Sequence, residues 1–435
     1  MACLEECGIV VLGAAGCWYH ACMAAYLDRL VDALLVELLH ELPAVLIVGP
    51  RAVGKTTTTE RFARTVIRLD RDADAAAFRA DPDVALRGLQ EPVLLDEWQA
   101  VPSVLGALKR AVDDDPRPGR FLLTGSVRAN IEAETWPGTG RLVRVAMSGL
   151  VAREISGNVG QPGLLEQIVA DGIDAAARIP TDAPDLRGYI EMALAGSFPS
   201  PALHLQGPAR RRWLDGYLDQ ILTRDALQVA GHRDPVRLWR YFEALASSTA
   251  GVVEDKKLYD AAAINAKTAA AYDRLLTNLL IVEAVPAWTT NRLRRLTRAP
   301  KRYVVDPGLV GAALRIDVDG VMRDGDLLGR VLDCFVMAQL RGEIAVGVAQ
   351  LRPYHLRQQQ GRHEVDIILE AGNGRVIAVE VKAEAAPTRH SARHLLWLRD
   401  ELGDRFIAGL VLHTGPRPFA LDDRLLALPI CALWA

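Results

Sequence analysis

Gly49 to Thr56, GPRAVGKT, set two glycines, a lysine and a threonine in the pattern GxxxxGK[ST]. Gly49 and Gly54 permit backbone torsions that other residues resist, so successive N–H groups can turn inward onto phosphate oxygens. Lys55 brings a point charge to the outer phosphates of a triphosphate, and the Thr56 hydroxyl can ligate Mg2+. A helix opening here adds a favourable dipole. With Pro50, Arg51, Ala52, Val53 and Thr57, these residues are the expected binding set for a magnesium nucleoside triphosphate, ATP in the first instance.

Pro92 to Glu97, PVLLDE, is an apolar run ending in two acids. Asp96 is expected to hold magnesium through water, and Glu97 to act as general base toward an attacking water. Thr124 and Ser126 follow the apolar Phe121–Leu123 and stand where a polar sensor would touch the terminal phosphate or the water. A plain strand-end turn is the alternative. An arginine finger, from a lid or from a neighbouring copy in a homo-oligomer, could be Arg128, Arg141, Arg144 or Arg224.

A third group lies near the C-terminus. In VIAVEVK, residues 376–382, the strand period of two sets Glu380 and Lys382 on one face and Val379 and Val381 on the other. Asp366 in EVDIILE opens the preceding strand and can meet them. Two carboxylates and a lysine on one sheet edge can bind Mg2+ and activate water against a phosphodiester. Asp333, on a helix over Leu327–Leu340, would be a further metal ligand beside Asp366 and Glu380. An exposed acid–lysine pair on a half-buried strand is the alternative.

These residues need particular elements beneath them. Leu42–Val48 reads as a buried strand feeding the loop, with a helical stretch after it through Val66. Ahead of it Leu27, Leu30, Val31, Leu34, Leu35, Leu38 and Leu39 share one helical face. Val66–Asp70, Pro92–Glu97, Phe121–Leu123 and Leu142–Val145 supply further strands. An extra strand between the loop strand and the acidic strand, with Glu after the Asp, is the arrangement of the additional-strand branch of P-loop ATPases. Residues 151–235 read as a helical lid. Leu238–Ser247, Lys257–Ala262 and Asn265–Leu280 read as three helices, and Ile281–Val285 and Tyr303–Val305 as two wing strands. Together they form a winged-helix-like unit over 236–320. Between the wing strands lie Arg292, Arg294, Arg295, Arg298, Lys301 and Arg302, a basic segment suited to DNA phosphates. The order α-β-β-β-α-β is expected over 321–435.

The chain has 435 residues, 50% hydrophobic and 24% charged, the balance of a folded protein. Its net charge of −3 makes no case for a polyanion partner, although a local basic patch would suffice. Cys3, Cys7, Cys17 and Cys22 crowd the N-terminus without CxxC spacing, and Cys334 and Cys431 stand far apart, a usage that suits a reducing cytoplasm. Residues 8–27 carry no Lys, Arg, Asp or Glu, but Glu5 and Glu6 precede them where a signal peptide needs positive charge. No membrane attachment is expected. Residues 1–25 are expected to be an extension, with a start at Met23.

The chain resembles a widespread group of prokaryotic AAA-like P-loop ATPases whose C-terminal half, of unknown function, ends in a restriction-endonuclease-like domain of PD-(D/E)xK type. The resemblance rests on GPRAVGKT (49–56), LLDEWQ (94–99), LLTGS (122–126), AGSFP (195–199), Arg224–Asp225, EVDIILE (364–370) and AVEVKA (378–383). Relatives usually have Gly-Gly-Phe-Pro where this chain has Ser197, and a helix Glu where it has Asp333. The resemblance implies an α/β fold: an additional-strand ATPase core over 26–150, the lid, the winged helix and the nuclease-like end. Three functions follow as expectations: an ATP-driven switch acting on nucleic acid, an ATP-gated nuclease, and a nucleotide-controlled scaffold with a silent nuclease-like domain.

Overall fold

A computed structural model describes residues 26–126, 140–173, 182–226, 234–291, 295, 298–358 and 362–435. Helix α1 (Leu30–Glu41) buries Leu30, Val31 and Leu35 and stops ahead of Pro43, whose ring disfavours helical torsions in the residue before it. Strand β1 (Ala44–Val48) is buried along its whole length and enters the Gly49–Gly54 loop, which opens helix α2 (Lys55–Glu60). Then follow β2 (Thr65–Arg68), α3 (Asp72–Ala80), α4 (Pro82–Leu86), β3 (Val93–Asp96), α5 (Val104–Asp114), β4 (Phe121–Gly125) and β5 (Val143–Ala146). The helix after the loop ends at Glu60, well short of Val66. Four successive threonines weaken it, and Arg64 and Thr65 already donate to the Pro92 carbonyl to start β2 beside β3.

All five strands are parallel, in the order β2-β3-β4-β1-β5. Strand β4, not β2, is the one inserted between the loop strand and the acidic strand. Leu46 and Leu95 in the one layer, and Ile47 and Leu94 in the other, are fully buried. Each such side chain contributes about 1.5–3 kcal/mol of hydrophobic stabilisation. The loop, Asp96 and Thr124 therefore all emerge at the C-terminal edge of one sheet, where ligands of open parallel sheets bind.

The next helices are α6 (Ala152–Ile155), α7 (Leu164–Asp171), α8 (Leu186–Ala195) and α9 (Gly207–Gln220), with π-helical turns at Ser200–His204 and Ile221–Asp225. Helices α10 (Pro235–Ser247), α11 (Asp255–Ala261) and α12 (Ala266–Asn278) precede an antiparallel ribbon of β6 (Val282–Val285) and β7 (Lys301–Val304). After α13 (Pro307–Leu314) and α14 (Val318–Arg323) comes the long helix α15 (Gly325–Val346). It underlies a mixed sheet of β8 (Arg352–Gln358), β9 (His363–Glu370), β10 (Val376–Lys382), β11 (Phe406–His413), β12 (Phe419–Asp422) and β13 (Leu425–Pro429), with α16 (Arg393–Leu402) crossing from β10 to β11. The strand order is β12-β13-β11-β10-β9-β8, with the β10–β11 and β11–β13 pairs parallel. The helix–strand order expected for 321–435 is present, extended by β12 and β13.

One apolar layer runs from Leu165 and Ile168 in α7 through Leu276 in α12 and Phe335 in α15 to Ile367 and Leu410 in the second sheet. The ribbon also joins that sheet, because Trp288 N donates to His355 O at 2.6 Å and His355 N to Pro286 O at 3.0 Å. Among the described residues no helix is long and apolar enough to cross a membrane.

Candidate functional site

The loop after β1 is held in a tight approach. A side chain at Gly49 would sit 2.0 Å from the Met147 carbonyl oxygen, so only glycine fits there. Gly54 takes φ 96°, and Ala52 takes φ 61°, a torsion that costs a non-glycine residue free energy and persists only where the surroundings enforce it. Lys55 is 5% exposed and spans the loop, donating from Nζ to Gly49 O at 3.0 Å and Pro50 O at 2.8 Å. Burial pushes its ammonium down to about 8, against the opposing pull of Glu97 and Asp96.

A chain of hydroxyls and carboxylates faces the loop. Thr56 Oγ1 donates to Asp96 Oδ1 at 2.8 Å, and Thr124 Oγ1 donates to the same oxygen. Thr124 also accepts from Glu97 N at 3.0 Å. One strand-end threonine thereby sets both acids. Glu97 is itself in the left-handed region, φ 53°, which turns its side chain off the strand direction. Its Oε2 accepts from Ser126 Oγ at 2.9 Å and from Gln99 Nε2. Burial raises the Asp96 carboxyl above its usual value.

These residues fit a polyphosphate with a divalent cation. Lys55 is a buried cation that, among the described residues, bonds carbonyl oxygens and pairs with no carboxylate, an arrangement that an anionic ligand would complete. Gly49 alone fits the tight approach of the loop to Met147, and Thr56 and Asp96 already converge as a hydroxyl–carboxylate pair able to share one metal ion. Gly49, Pro50, Arg51, Ala52, Val53, Gly54, Lys55, Thr56 and Thr57 thus lie on one loop and helix start.

Sequence reasoning missed the loop's supports. Arg29, just before α1, is 5% exposed; it donates to Val53 O at 2.9 Å and Ser148 O at 3.0 Å, and pairs with Glu154 at 3.0 Å. Glu154 also accepts from Leu30 N and Val151 N. From the other side, Tyr217 OH reaches Arg51 O at 3.2 Å, and Asp225, at the end of a π-helical turn, pairs with Arg51 at 3.1 Å. Asp225, not Arg224, meets the loop. Phe198 packs against Tyr217 with ring centres 4.5 Å apart, while Ser197 and Gly308 donate backbone N–H groups to the buried Asp306. The one local signal was Asp306–Pro307, a helix-start pair.

Of the candidate fingers, Arg128 lies outside the described residues. Arg141 pairs with Asp113 at 2.8 Å, and Arg144 and Arg224 are exposed. The basic segment is largely spoken for within the fold. Arg295 pairs in bidentate fashion with Glu370, Lys301 with Asp333 and Asp366, and Arg302 with Asp255 and Asp273. A buried, paired cation cannot take a phosphate without leaving its partner exposed to the same burial penalty. Arg298 remains exposed, and Arg292 and Arg294 lie outside the described residues.

The C-terminal acids do come together, but around a lysine. Lys301 Nζ pairs with Asp333 Oδ2, lies 3.6 Å from Asp366 Oδ1 and donates to Asp366 O at 3.1 Å. Tyr303 OH donates to Asp333 Oδ1 at 2.9 Å, Val381 N donates to Asp366 Oδ2 at 2.9 Å, and Lys382 pairs with Glu380 at 2.7 Å. Burial raises Asp333 to about 6 and Glu380 to about 8, with Asp366 adding to both. The expected metal set of Asp333, Asp366 and Glu380 is therefore corrected: among the described residues no three acids, histidines or cysteines are placed to hold one metal ion, because the Lys301 ammonium stands between two of them.

Strand, glycine loop, helix and the paired acids define a P-loop nucleotide-binding domain of ATPase type, and residues 41–156 match the model of an AAA domain. Residues 186–319 and 328–433 match two domains of unknown function, DUF8612 and DUF4143. The chain is 28% identical over 402 residues to the uncharacterized proteins Rv2008c of Mycobacterium tuberculosis and Mb2031c of Mycobacterium bovis, covering 91% of this chain and 82% of each relative. Among solved structures, the Walker-type ATPase PABY2304 of Pyrococcus abyssi aligns with 67% of this chain and 96% of its own, at 15% identity and a TM-score of 0.41.

The depressed Lys55 makes affinity for a triphosphate pH-dependent. A bound polyphosphate favours the ammonium and lifts its pKa back, so above about pH 8 binding must take up a proton that the free protein has released. Affinity is expected to be flat below that point and to fall toward a limit of about tenfold per pH unit above it. Calorimetry in buffers of different ionisation enthalpy would show the proton uptake; a flat profile from pH 7 to 10 would place the Lys55 charge outside the binding equilibrium.

Proposed function

We propose that the protein binds Mg-ATP at the Gly49–Thr57 loop and hydrolyses it, and that hydrolysis drives a conformational switch. The carrying observation is the hydrogen-bonded chain Thr56–Asp96–Thr124–Glu97–Ser126 facing a buried, carboxylate-free Lys55. Loop N–H groups and Lys55 hold the phosphates, and Thr56 and Asp96 hold the metal. Glu97 accepts the proton of the attacking water at a carboxylate oriented by Ser126 and Gln99. Magnesium held by Thr56 and Asp96 would supply positive charge against the charge that builds on the phosphates.

The switch reading is supported by the side chains that leave the loop. Arg51 is tied to Asp225 by its guanidinium and to Tyr217 by its carbonyl, so a change at the phosphates has a direct route to the helical segment that carries both. Helices α10–α12 with the β6–β7 ribbon support a winged-helix reading, and the α15-β8-β9-β10-α16-β11 order supports a PD-(D/E)xK-type fold. With three cations of the basic segment turned inward, nucleic acid is a weaker partner for it than the sequence suggested. The proposed place of work is the cytoplasm, where ATP is supplied.

The test is phosphate release from ATP in Mg2+, with equilibrium binding of a fluorescent ATP analogue alongside. Wild type should turn over ATP, and Lys55→Ala should lose both binding and turnover. Wild-type protein that binds no ATP would sink the proposal.

A further inference from the structure

Arg51 is the one arginine inside the nucleotide loop, between Gly49 and Gly54. One helical segment holds both its backbone and its side chain. Tyr217 OH, on α9, donates to Arg51 O at 3.2 Å, and Asp225, at the end of the π-helical turn that follows, stands 3.1 Å from the Arg51 guanidinium. Such turns are rare and recur at functional sites. The ion pair is lopsided. The Asp225 side chain is 5% exposed and that of Arg51 42%. Asp225 Oδ1, the oxygen that faces Arg51, is buried and accepts no hydrogen bond. The guanidinium is thus held by charge and not locked by a bond. It also has room to turn: a cavity of about 430 Å3 is lined by Arg51 and Ala52 of the loop and by Trp213, Tyr217, Gln220 and Asp225 of the helical segment.

Arg51 shares a field with the groups that face the phosphates. Burial lowers the Lys55 ammonium, and the Arg51 charge adds to that fall against the pull of Glu97 and Asp96. Burial raises the Asp225 carboxyl, Arg51 draws it back, and Glu97 adds to the rise. Lys55, Arg51, Asp225 and Glu97 therefore act on one another around one loop. Two cations that repel each other on so short a loop are stabilised together by a polyanion. Of the other described candidates for a finger, Arg141 pairs with Asp113, whereas Arg51 already lies on the loop itself.

We propose that Arg51 supplies, from within the loop, the guanidinium that neutralises the terminal phosphate during hydrolysis, and that Asp225 is the latch that holds it until a triphosphate draws it away. This role rests on the hydrolysis of ATP proposed for the same loop, and adds to it a residue that tells ATP from ADP. A terminal phosphate carries more charge than one carboxylate and offers two oxygens to the guanidinium fork. Once Arg51 has turned, Asp225 is a buried carboxylate without a counter-ion, which is costly. A shift of the π-helical turn that brings Asp225 to water relieves that cost. The third phosphate is thereby read as a displacement of the segment after α9, and ADP, which lacks it, leaves the latch closed.

The test uses the full chain and three readouts: the ratio of ATP to ADP affinity, by competition with a fluorescent ADP analogue; single-turnover phosphate release; and capture of Mg-ADP with aluminium fluoride, a mimic of the transferring phosphoryl group. Arg51→Ala should lower turnover at least about 100-fold, lower the ATP-to-ADP ratio and abolish the capture. Asp225→Asn, which keeps the size of the side chain and removes its charge, should move the ratio the other way, raising it about three- to tenfold. A pair that only braces the loop would move it in the same direction in both variants. Arg51→Lys, which keeps the charge and loses the fork, replaces Arg51→Ala if the latter does not fold, with turnover down about tenfold or more. Wild-type protein that turns over ATP beside an Arg51→Ala variant within about threefold of it would overturn the proposal and leave hydrolysis at the loop standing. So would a ratio that falls in both Arg51→Ala and Asp225→Asn. Wild-type protein that releases no phosphate would remove hydrolysis and the role of Arg51 together.

Discussion

Glu97→Gln is expected to leave ATP binding within about twofold of wild type and to lower turnover by about 100- to 10,000-fold, the range for losing a positioned general base. The amide keeps the size of the side chain, and its oxygen can still accept from Ser126 and Gln99. It cannot take a proton. Lys55, Thr56 and Asp96, which hold phosphates and metal, are not bonded to the Glu97 side chain. Binding and chemistry should therefore separate. Pre-steady-state phosphate release beside a binding titration reads both. Turnover retained within about tenfold would remove Glu97 as the base and leave it a positioning role.

The largest expected effect on stability comes from Glu154→Ala. Glu154 is 4% exposed, pairs with Arg29 and accepts the N–H groups of Leu30 and Val151. Its removal leaves the guanidinium buried without a counter-ion and two backbone donors without acceptors, a loss of about 3–5 kcal/mol. Arg29 also donates to Val53 O inside the nucleotide loop, so the same variant should weaken ATP affinity although Glu154 lies off the loop. Arg29→Ala, which leaves the carboxylate as the orphan, should fall in the same range. Chemical denaturation followed by near-ultraviolet circular dichroism measures the first effect. A midpoint unchanged from wild type in both variants would show that the pair contributes nothing net.

The nucleotide loop was legible because its chemistry is local. Gly49, Gly54, Lys55 and Thr56 act within eight residues of one another, and Asp96 and Glu97 are adjacent. The sheet order was less so, since nothing in Phe121–Gly125 says that it slips between β1 and β3. That placement is decided by which apolar strands bury one another. Arg29 and Glu154 were invisible for the same reason. Their bond spans the whole ATPase domain, and neither sits in a recognisable pattern. Three cations of the basic segment turn inward, and a run of cations reads as an outward face until its acids are found. Those acids, Asp255, Asp273, Asp333, Asp366 and Glu370, are scattered from α11 to β9 and reach the segment only by folding. Arg224 and Asp225 are adjacent in sequence, and only the π-helical turn shows which of the two meets the loop.

The continuous apolar layer from α7 to β11 has a consequence for how the chain can be handled and inherited. Three separate models match along the sequence, which invites treating the regions as detachable parts. A chain ended before α15 would uncover apolar side chains of α13, Leu309 and Val310 among them, that pack in this layer with α15. A fragment starting at α15 would expose the other side of the same contact. Recombination that exchanged one region for a foreign one would have to rebuild this seam at once, so the middle and C-terminal regions are expected to travel together between genomes, whatever is spliced ahead of them.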